Sequence, residues 1–219
     1  MKIFLIVTLL VMAVVLVTAG CKTSRGGYAT APYKSVRSTG SFEVRDYPAL
    51  TVVETPLSGP GGDAGFGRLF RFITGRNEGW QKIAMTTPVF MSGDDASRTI
   101  SFVLPSNLES GRIPKPADAS LSVREIPPGR FAVLRFSGGR SAQHEAAALG
   151  QLKTWMAAEG LSVTSQPVFG YFDPPWTPSF MRRNEVMLRF EAGEATSTRR
   201  HRSSTALTDV SSPGAPSRD

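Results

Sequence analysis

The chain has 219 residues, 41% of them hydrophobic and 20% charged, and it carries a formal net charge of +7. This composition fits one domain with an ordinary core and excludes an intrinsically disordered chain. The positive charge is spread along the sequence without a long basic run in the domain. It therefore favours attraction to anionic headgroups or to a carboxylated ligand over a stripe that binds nucleic acid.

The first residues predict an export segment. Lys2 is followed by an apolar run from Ile3 to Val17 and then by small residues that lead to Cys21, the single cysteine of the chain. The run is short for a membrane-spanning helix, which needs about 20 apolar residues. Residues 1–20 are therefore interpreted as a signal peptide that is excluded from the fold.

The segment "VTAGC" resembles the lipobox of bacterial lipoproteins. The resemblance implies that Cys21 is lipidated and anchors the domain to a membrane, facing the periplasm or the exterior. Because Lys22 follows the cysteine, the outer membrane is favoured in a bacterium with two membranes. An uncleaved N-terminal anchor with an incidental cysteine is the alternative.

Two segments flank the predicted domain at residues 41–192. Residues 21–40 are rich in Gly, Ser, Thr and Pro without apolar periodicity, which predicts a flexible tether. Residues 193–219 have a similar composition and predict a disordered tail.

Within the domain, an internal repeat predicts the fold. "VRDYP" at 44–48 returns as "VREIP" at 123–127, and "PVF" at 88–90 returns at 167–169, both at an offset of 79 residues. We expect two βαβ-type halves over about 41–105 and 120–191, each with the order strand, strand, helix, strand, strand. The predicted fold class is α+β: a distorted antiparallel β-barrel of about eight strands with two helices.

The first predicted helix is amphipathic. Phe66, Leu69, Phe70 and Ile73 recur at helical spacing, with Gly75 as the predicted end. The second helix is predicted to run for about twenty residues from Ser141. In the second half the Pro-rich insertion "DPPWTPSF" displaces the last strand, and such an insertion beside a repeated scaffold is where function is often located.

The sequence offers little for catalysis. It has two histidines, of which His144 lies in the domain, and it lacks zinc-binding, Ser/His/Asp and phosphate-loop motifs. We therefore expect a protein that is not an enzyme. A hydrolase that uses Glu125, Glu145 or Glu185 remains the alternative, although no spacing singles out a pair.

Two segments carry a family resemblance. "GFGRLFRFITGRNEGWQKIAMTTPVFM" and "YFDPPWTPSFMRRNEVMLRF" resemble the signature segments of the SOUL (heme-binding protein) family, over about residues 41–191. The resemblance implies a shallow apolar cleft along the first helix for heme or another tetrapyrrole, with cationic side chains near the propionates. It also implies hydrophobic heme contact without a strong axial histidine.

The resemblance nominates the ligand-binding residues Phe66, Arg68, Leu69, Phe70, Arg71, Ile73, Met85, Trp176, Arg182 and Arg183. Apart from the resemblance, His144 is a candidate axial ligand of the iron because it is the one histidine of the domain, and an exposed surface residue is its alternative. Ordinary alternatives stay open for each of them. The apolar side chains and the methionine suit a core, and the helix arginines suit a solvated face. For the last two arginines, the alternative is that one of them pairs with Glu185 or with Asp173 and fixes the insertion loop.

The expected function is reversible binding of heme or a related porphyrin by a membrane-anchored lipoprotein, which acts as a carrier or buffer without turnover. A binder of another flat hydrophobic molecule is the second hypothesis. The third is a structural or partner-binding envelope protein that has no small ligand and fills its cleft with its own side chains.

Overall fold

The computed structural model of the protein describes residues 27–57, 63–93, 97–108 and 113–191. The predicted signal peptide, Cys21 and the predicted tail at 193–219 lie outside the described residues. Two helices and twelve strands are described within them. The elements are β1 (Ala29–Thr30), β2 (Lys34–Thr39), β3 (Phe42–Tyr47), β4 (Leu50–Pro56), α1 (Asp63–Ile73), β5 (Thr86–Thr87), β6 (Val89–Ser92), β7 (Thr99–Val103), β8 (Ser122–Ile126), β9 (Gly129–Phe136), α2 (Ala142–Ala158), β10 (Ser162–Val163), β11 (Val168–Tyr171), a 3₁₀ turn (Ser179–Met181) and β12 (Asn184–Glu191).

The α+β class is confirmed, with a sheet that stays open. Ten strands form one antiparallel sheet whose order is β2-β3-β9-β12-β11-β6-β7-β4-β8, with β10 paired to β12. The separate strand β1 pairs in parallel with β5. Because β2 and β8 are the two ends of this order and are not paired with each other in the described residues, the sheet does not close into a barrel.

Each half of the sheet combines strands from both halves of the sequence, because β3 pairs with β9 of the second half and β8 pairs with β4 of the first half. The first residues of β4 and β9, of β6 and β11, and of α1 and α2 each differ by the offset of 79 residues. The strand order β3-β9-β12-β11 in one half mirrors β8-β4-β7-β6 in the other, and the halves meet where β11 pairs with β6. The insertion after β11 therefore lies close to the junction between the halves.

The second part of residues 21–40, which the sequence predicts to be a flexible tether, contains strands β1 and β2. Strand β2 pairs with β3 through a turn at Gly40, which has a φ of 60°. Every residue of β2 is exposed, so the strand is stabilised by backbone hydrogen bonds and lacks the apolar alternation that identifies a strand in a sequence. The fold therefore begins before residue 41, with Ala31 buried in the core.

Apolar side chains are buried on both faces of the sheet. The face covered by the helices contains Leu69, Phe72, Leu152 and Met156, together with strand residues such as Leu188. The other face has its own cluster of buried residues, to which Val52, Phe90, Val133 and Met187 belong. Burial of each large apolar side chain contributes about 1.5–3 kcal/mol. In the described part of the chain, neither helix is both long and apolar enough to cross a membrane.

A buried ion pair crosses the second face. Arg45 and Glu185 are both 0% exposed, and two guanidinium nitrogens of Arg45 donate to the two carboxylate oxygens at 2.7 and 3.1 Å. Arg45 also donates to Glu43 at 2.6 Å and to the Tyr47 hydroxyl at 3.1 Å. Loss of one partner of such a pair costs about 3–5 kcal/mol, because the other charge is left buried.

Candidate functional site

An apolar groove of about 300 Å³ lies between α1 and the insertion loop that follows β11. The helix comes from the first half of the sequence, and the insertion comes from the second half. Aromatic rings form most of its wall: Tyr28, Phe66, Phe70, Tyr171, Phe172 and Trp176. A groove with this size and lining falls at the small end of the range for pockets that bind small molecules.

One wall of the groove is a pair of phenylalanines on α1. Phe66 and Phe70 stack with their ring centroids 6.0 Å apart and an interplanar angle of 13°, and they are 40% and 47% exposed. On the adjacent side of the helix, Leu69 and Ile73 are 0% and 3% exposed and belong to the core. The predicted stripe is therefore divided: Phe66 and Phe70 face the groove, whereas Leu69 and Ile73 do not, contrary to their nomination as ligand-binding residues.

A glycine seats α1 directly on the sheet. A Cβ atom at Gly65 would lie 2.8 Å from Cγ2 of Ile100 and 2.9 Å from Cδ2 of Leu57. Only a residue without a side chain permits this approach. The close contact fixes the helix, so the next turn presents its phenylalanines beside the groove.

The opposite wall is the insertion loop, which Arg182 holds in place. The Arg182 guanidinium donates to the carbonyl oxygen of Thr177 at 2.7 Å and also to that of Pro175. The backbone N–H of Arg183 donates to the Asp173 carboxylate at 2.6 Å. Between these anchors Trp176 is 79% exposed at the rim of the groove. Arg182 therefore anchors the insertion loop through these hydrogen bonds and does not line the groove.

Arg183 points toward the sheet. Its guanidinium donates to Oε1 of Glu185 at 3.0 and 2.5 Å and lies 4.2 Å from the centroid of the Phe172 ring. Burial alone would lower the pKa of Arg183, but its pairing with Glu185 outweighs burial and raises it. Arg183 therefore has the alternative partner Glu185, Arg182 holds the loop through carbonyl oxygens instead, and neither guanidinium lines the groove.

A tyrosine, a glutamate and an arginine form the polar part of the site. Tyr171 lines the groove, and its hydroxyl donates to Glu145 of α2, which also accepts from Arg98. Glu145 is 6% exposed, and burial together with this hydrogen bond raises the pKa of Tyr171. The phenol therefore stays protonated and links the groove wall to α2.

The histidine candidate lies outside the groove. His144 is exposed in the first turn of α2, where its Nδ1 is 2.8 Å from the carbonyl oxygen of Gly139. Met85 lines the groove and is partly buried, as a ligand-contacting methionine would be. Among the residues that the structure describes, no cluster of three or more His, Cys, Asp or Glu residues could hold a metal ion.

Arg68 and Arg71 lie on the opposite flank of α1 from the groove. Both line a second cavity of about 330 Å³. Arg68 is fixed there because its Nε donates to Oγ1 of Thr55 at 3.1 Å and its Nη2 donates to the carbonyl oxygen of Pro56 at 2.7 Å. Four of the nominated residues, Phe66, Phe70, Met85 and Trp176, are therefore brought together in the groove, and the others are not.

Sequence reasoning missed several residues of the site. Tyr28 lines the groove from the segment predicted as tether, and the only signal in the sequence was an aromatic residue among small and polar ones. Tyr171, the last residue of β11, and Phe172 directly precede the insertion. The sequence predicted a strand there but did not nominate either residue for ligand binding. Glu145 was considered only as a catalytic carboxylate, because no spacing in the sequence relates it to Tyr171.

Comparisons with known proteins agree with this architecture. Residues 28–189 match the model of the SOUL heme-binding protein family. Heme-binding protein 2 of Homo sapiens is 30% identical over 172 residues, which cover 72% of this chain and 82% of the human protein.

Two solved structures show the same fold at low identity. A hydrolase from Listeria innocua has a TM-score of 0.53 at 10% identity and covers 71% of this chain and 94% of its own. EcmrR in its complex with DNA has a TM-score of 0.52 at 13% identity, over 73% of this chain and 57% of its own. The family match spans most of the chain and includes the helix and the insertion that form the groove, so the chain belongs to the SOUL heme-binding protein family.

Proposed function

We propose that the groove binds heme or a related tetrapyrrole reversibly. The observation that carries the proposal is an open apolar groove whose stacked phenylalanines remain substantially exposed, in a chain of a heme-binding family. The human relative is named for the same ligand. Exposed aromatic residues that form a contiguous apolar surface mark binding sites more often than isolated exposed residues do.

The residues of the groove fit a flat apolar ring. The parallel rings of Phe66 and Phe70 provide one planar wall, and Trp176 provides an exposed indole at the rim. Each square ångström of apolar surface that a ligand covers contributes about 25 cal/mol. The cavity of about 300 Å³ is small, so a tetrapyrrole inserts one edge and leaves the other in solvent.

The same residues favour binding of the tetrapyrrole through contacts with its flat ring rather than through ligation of its iron. The groove is lined by neither histidine nor cysteine in the described residues, and Met85 contributes a thioether, a weak ligand. Tyr171, the phenol next to the ring, is held protonated by Glu145. Weak ligation and partial enclosure suit a carrier or buffer that releases its cargo, and they supply no group for turnover.

The location of the protein is part of the proposal. The apolar run at 3–17 and the single cysteine at position 21 support a lipidated N-terminus that holds the domain at a membrane, outside the cytoplasm. Lys22 favours the outer membrane in a bacterium with two membranes. Mass spectrometry of the mature protein should find a diacylated Cys21 at the N-terminus, whereas an intact Met1 would contradict this part.

Two alternatives differ in the occupant of the groove. Another flat hydrophobic molecule would use the same aromatic walls, and a thermal-shift screen would identify it because a ligand stabilises the fold by an amount that rises with the logarithm of its concentration over its Kd. A partner-binding protein without a small ligand is less well supported, since the groove is not filled by the protein's own side chains.

The test compares hemin with iron-free protoporphyrin IX. The purified protein is titrated with each, following Soret absorbance for hemin and tryptophan quenching for the porphyrin. Because binding is proposed to use the ring, both should saturate at one per chain with Kd values within about tenfold of each other. Uptake of hemin that never saturates contradicts the proposal, and tight binding of hemin alone would show that the iron is ligated.

A further inference from the structure

The second cavity, on the other flank of α1, has a different chemistry from the groove. Its volume is about 330 Å³, and its walls come from α1, the loop after it and the segment before β8. Three arginines, Arg68, Arg71 and Arg76, surround an apolar floor that includes Phe72 and Leu121. Phe72 is fully buried and Leu121 is 8% exposed, so the floor is part of the core.

Positive charge dominates this cavity. Among the described residues of its lining Asp118 is the one carboxylate, and its Oδ1 already accepts from the backbone N–H and the hydroxyl of Ser120 at 2.9 and 2.7 Å. These two hydrogen bonds, with a smaller contribution from Arg68 and Arg71, lower the pKa of Asp118. The lining therefore keeps a net charge of about +2 at neutral pH.

Among the residues that the structure describes, Arg71 and Arg76 have no side-chain hydrogen-bond or ion-pair partner, and Arg68 is only partly engaged. Arg68 is bonded to Thr55 and Pro56, which leaves one terminal nitrogen free to donate. Within the described residues, no hydrogen bond or ion pair involves the side chain of Arg71 or Arg76. Arg71 folds back along α1, with Nη1 3.6 Å from the Cβ position of Gly67. Uncompensated guanidinium groups that converge on one cavity are an anion-binding arrangement.

The carbonyl groups at the end of α1 do not explain these cations. Arginine side chains are common at helix C-termini because they bind the last carbonyls. Here the last four carbonyl oxygens of α1 already accept other hydrogen bonds. The backbone N–H groups of Thr74, Arg76, Gly75 and Ile83 donate at 2.8–3.3 Å to Phe70, Arg71, Phe72 and Ile73, respectively. The side chains of Thr74 and Asn77 also donate to Phe70 and Phe72, each at 2.8 Å. These carbonyl groups therefore do not require the guanidinium groups of Arg71 and Arg76 as hydrogen-bond donors, although the charge of Arg71 in the last turn complements the helix dipole.

An exposed tryptophan stands beside these arginines. Trp80 is 83% exposed and has a φ of 55°, a left-handed backbone that costs a non-glycine residue about 1–2 kcal/mol. Asn77 imposes this conformation, because its carbonyl accepts from Trp80 and its side chain bonds to both backbone groups of Gln81 at 2.7 and 3.0 Å. The loop thus holds the indole largely in solvent, at the edge of the cavity.

We propose that this cavity is a second ligand site, for a small planar organic anion. The anionic group pairs with Arg76 and Arg68, and the flat apolar portion lies between Trp80 and the floor at Phe72. An aryl carboxylate has this chemistry, since a carboxylate matches the planar guanidinium fork and an aromatic ring covers an indole. The site is separate from the groove, so it does not depend on whether a tetrapyrrole binds there.

The probe for the test is 2-naphthoate, titrated into the purified protein by isothermal calorimetry. Two related compounds separate its components: 2-naphthalenemethanol keeps the ring without the charge, and acetate keeps the charge without the ring. We expect saturable binding of one 2-naphthoate per chain, and binding at least about tenfold weaker for each of the other compounds.

Variants locate the bound probe. Arg76→Gln removes an exposed, unpaired cation, and Trp80→Asn removes the indole but keeps a residue that tolerates the left-handed backbone. Each should weaken 2-naphthoate about tenfold or more. Two controls should leave it unchanged: Arg140→Gln, an exposed arginine with no carboxylate partner in the described residues, and Trp176→Ala in the groove.

Thermal unfolding of each variant without ligand establishes that it is folded. Equal binding of 2-naphthoate to Arg76→Gln and to the unmodified protein, or binding of the alcohol as tight as that of the acid, would overturn the proposal. Loss of 2-naphthoate in Trp176→Ala would place the probe in the groove and would also overturn it. A saturating amount of hemin should leave 2-naphthoate binding intact, which separates this site from the tetrapyrrole proposal.

Discussion

Replacement of Arg182 distinguishes an anchor of the insertion loop from a direct partner of a propionate. In the structure its guanidinium donates to the carbonyl oxygens of Thr177 and Pro175. A hydrogen bond from a charged donor contributes about 1.5–3 kcal/mol. Because Arg182 is only partly buried, we discount the two bonds to about 2 kcal/mol in total.

For a domain of this size, 1 kcal/mol corresponds to a Tm change of about 2–4 °C. Arg182→Ala should therefore lower the Tm by about 4–8 °C. It should also weaken hemin about fivefold or more, because a released loop must be ordered again on binding. Thermal unfolding followed by circular dichroism and hemin titration measure the two effects. Arg140→Ala, an exposed arginine outside the loop, is the control.

Arg182→Lys separates charge from geometry. An ammonium group keeps the positive charge but cannot reproduce the guanidinium fork that reaches two carbonyls. We therefore expect the lysine variant to lose about half of the stability and part of the affinity. The anchoring account is refuted if Arg182→Lys keeps the Tm and hemin affinity of the unmodified protein while Arg182→Ala loses affinity alone, since charge would then be what matters.

Three further predictions concern stability. Arg45→Met should destabilise the protein by about 3 kcal/mol in urea unfolding, because the buried Glu185 then keeps only Arg183 as a close charged partner; equal stability of the variant would disprove a stabilising buried pair. Gly65→Ala should cost about 1–3 kcal/mol through overpacking, whereas Gly150→Ala in α2, where a Cβ has open space, should stabilise by about 0.5–1 kcal/mol; the reverse order would contradict the seating of α1. Burial raises the pKa of Tyr47 to about 12. The contribution of the protonated phenol to the free energy of unfolding is therefore fully present below about pH 10 and is lost as the pH rises to about 12. Tyr47→Phe should flatten this part of the stability profile, and an unchanged slope would count against the raised pKa.

The repeat made most of the scaffold predictable from the sequence. Strands β4 and β9 and strands β6 and β11 begin 79 residues apart, because equivalent residues make equivalent contacts in the two halves. The helical spacing of Phe66, Leu69, Phe70 and Ile73 also identified α1 as an amphipathic helix. The resemblance supplied the ligand class, which no periodicity contains.

Other features were beyond sequence reasoning for physical reasons. Strand β2 is exposed at every position, so no alternation marks it. Arg45 and Glu185 are 140 residues apart, and their pairing depends on the sheet order. The division of the α1 stripe between core and groove depends on the seating of Gly65 against the sheet, which a helical wheel does not show.

If the tetrapyrrole binds in the aromatic groove, Trp176→Ala should weaken its binding. Trp176 is 79% exposed in the groove wall, and Phe180, which is 77% exposed in the same insertion but outside the groove lining, is the matched control. If hemin covers about half of a ring surface of roughly 200 Å², the contact contributes about 2.5 kcal/mol, less about 1 kcal/mol for ordering the side chain.

The account predicts that hemin binds Trp176→Ala about tenfold more weakly than the unmodified protein, and that it binds Phe180→Ala equally well. Equal affinity in both variants, or a loss in Phe180→Ala alone, would show that the tetrapyrrole binds elsewhere.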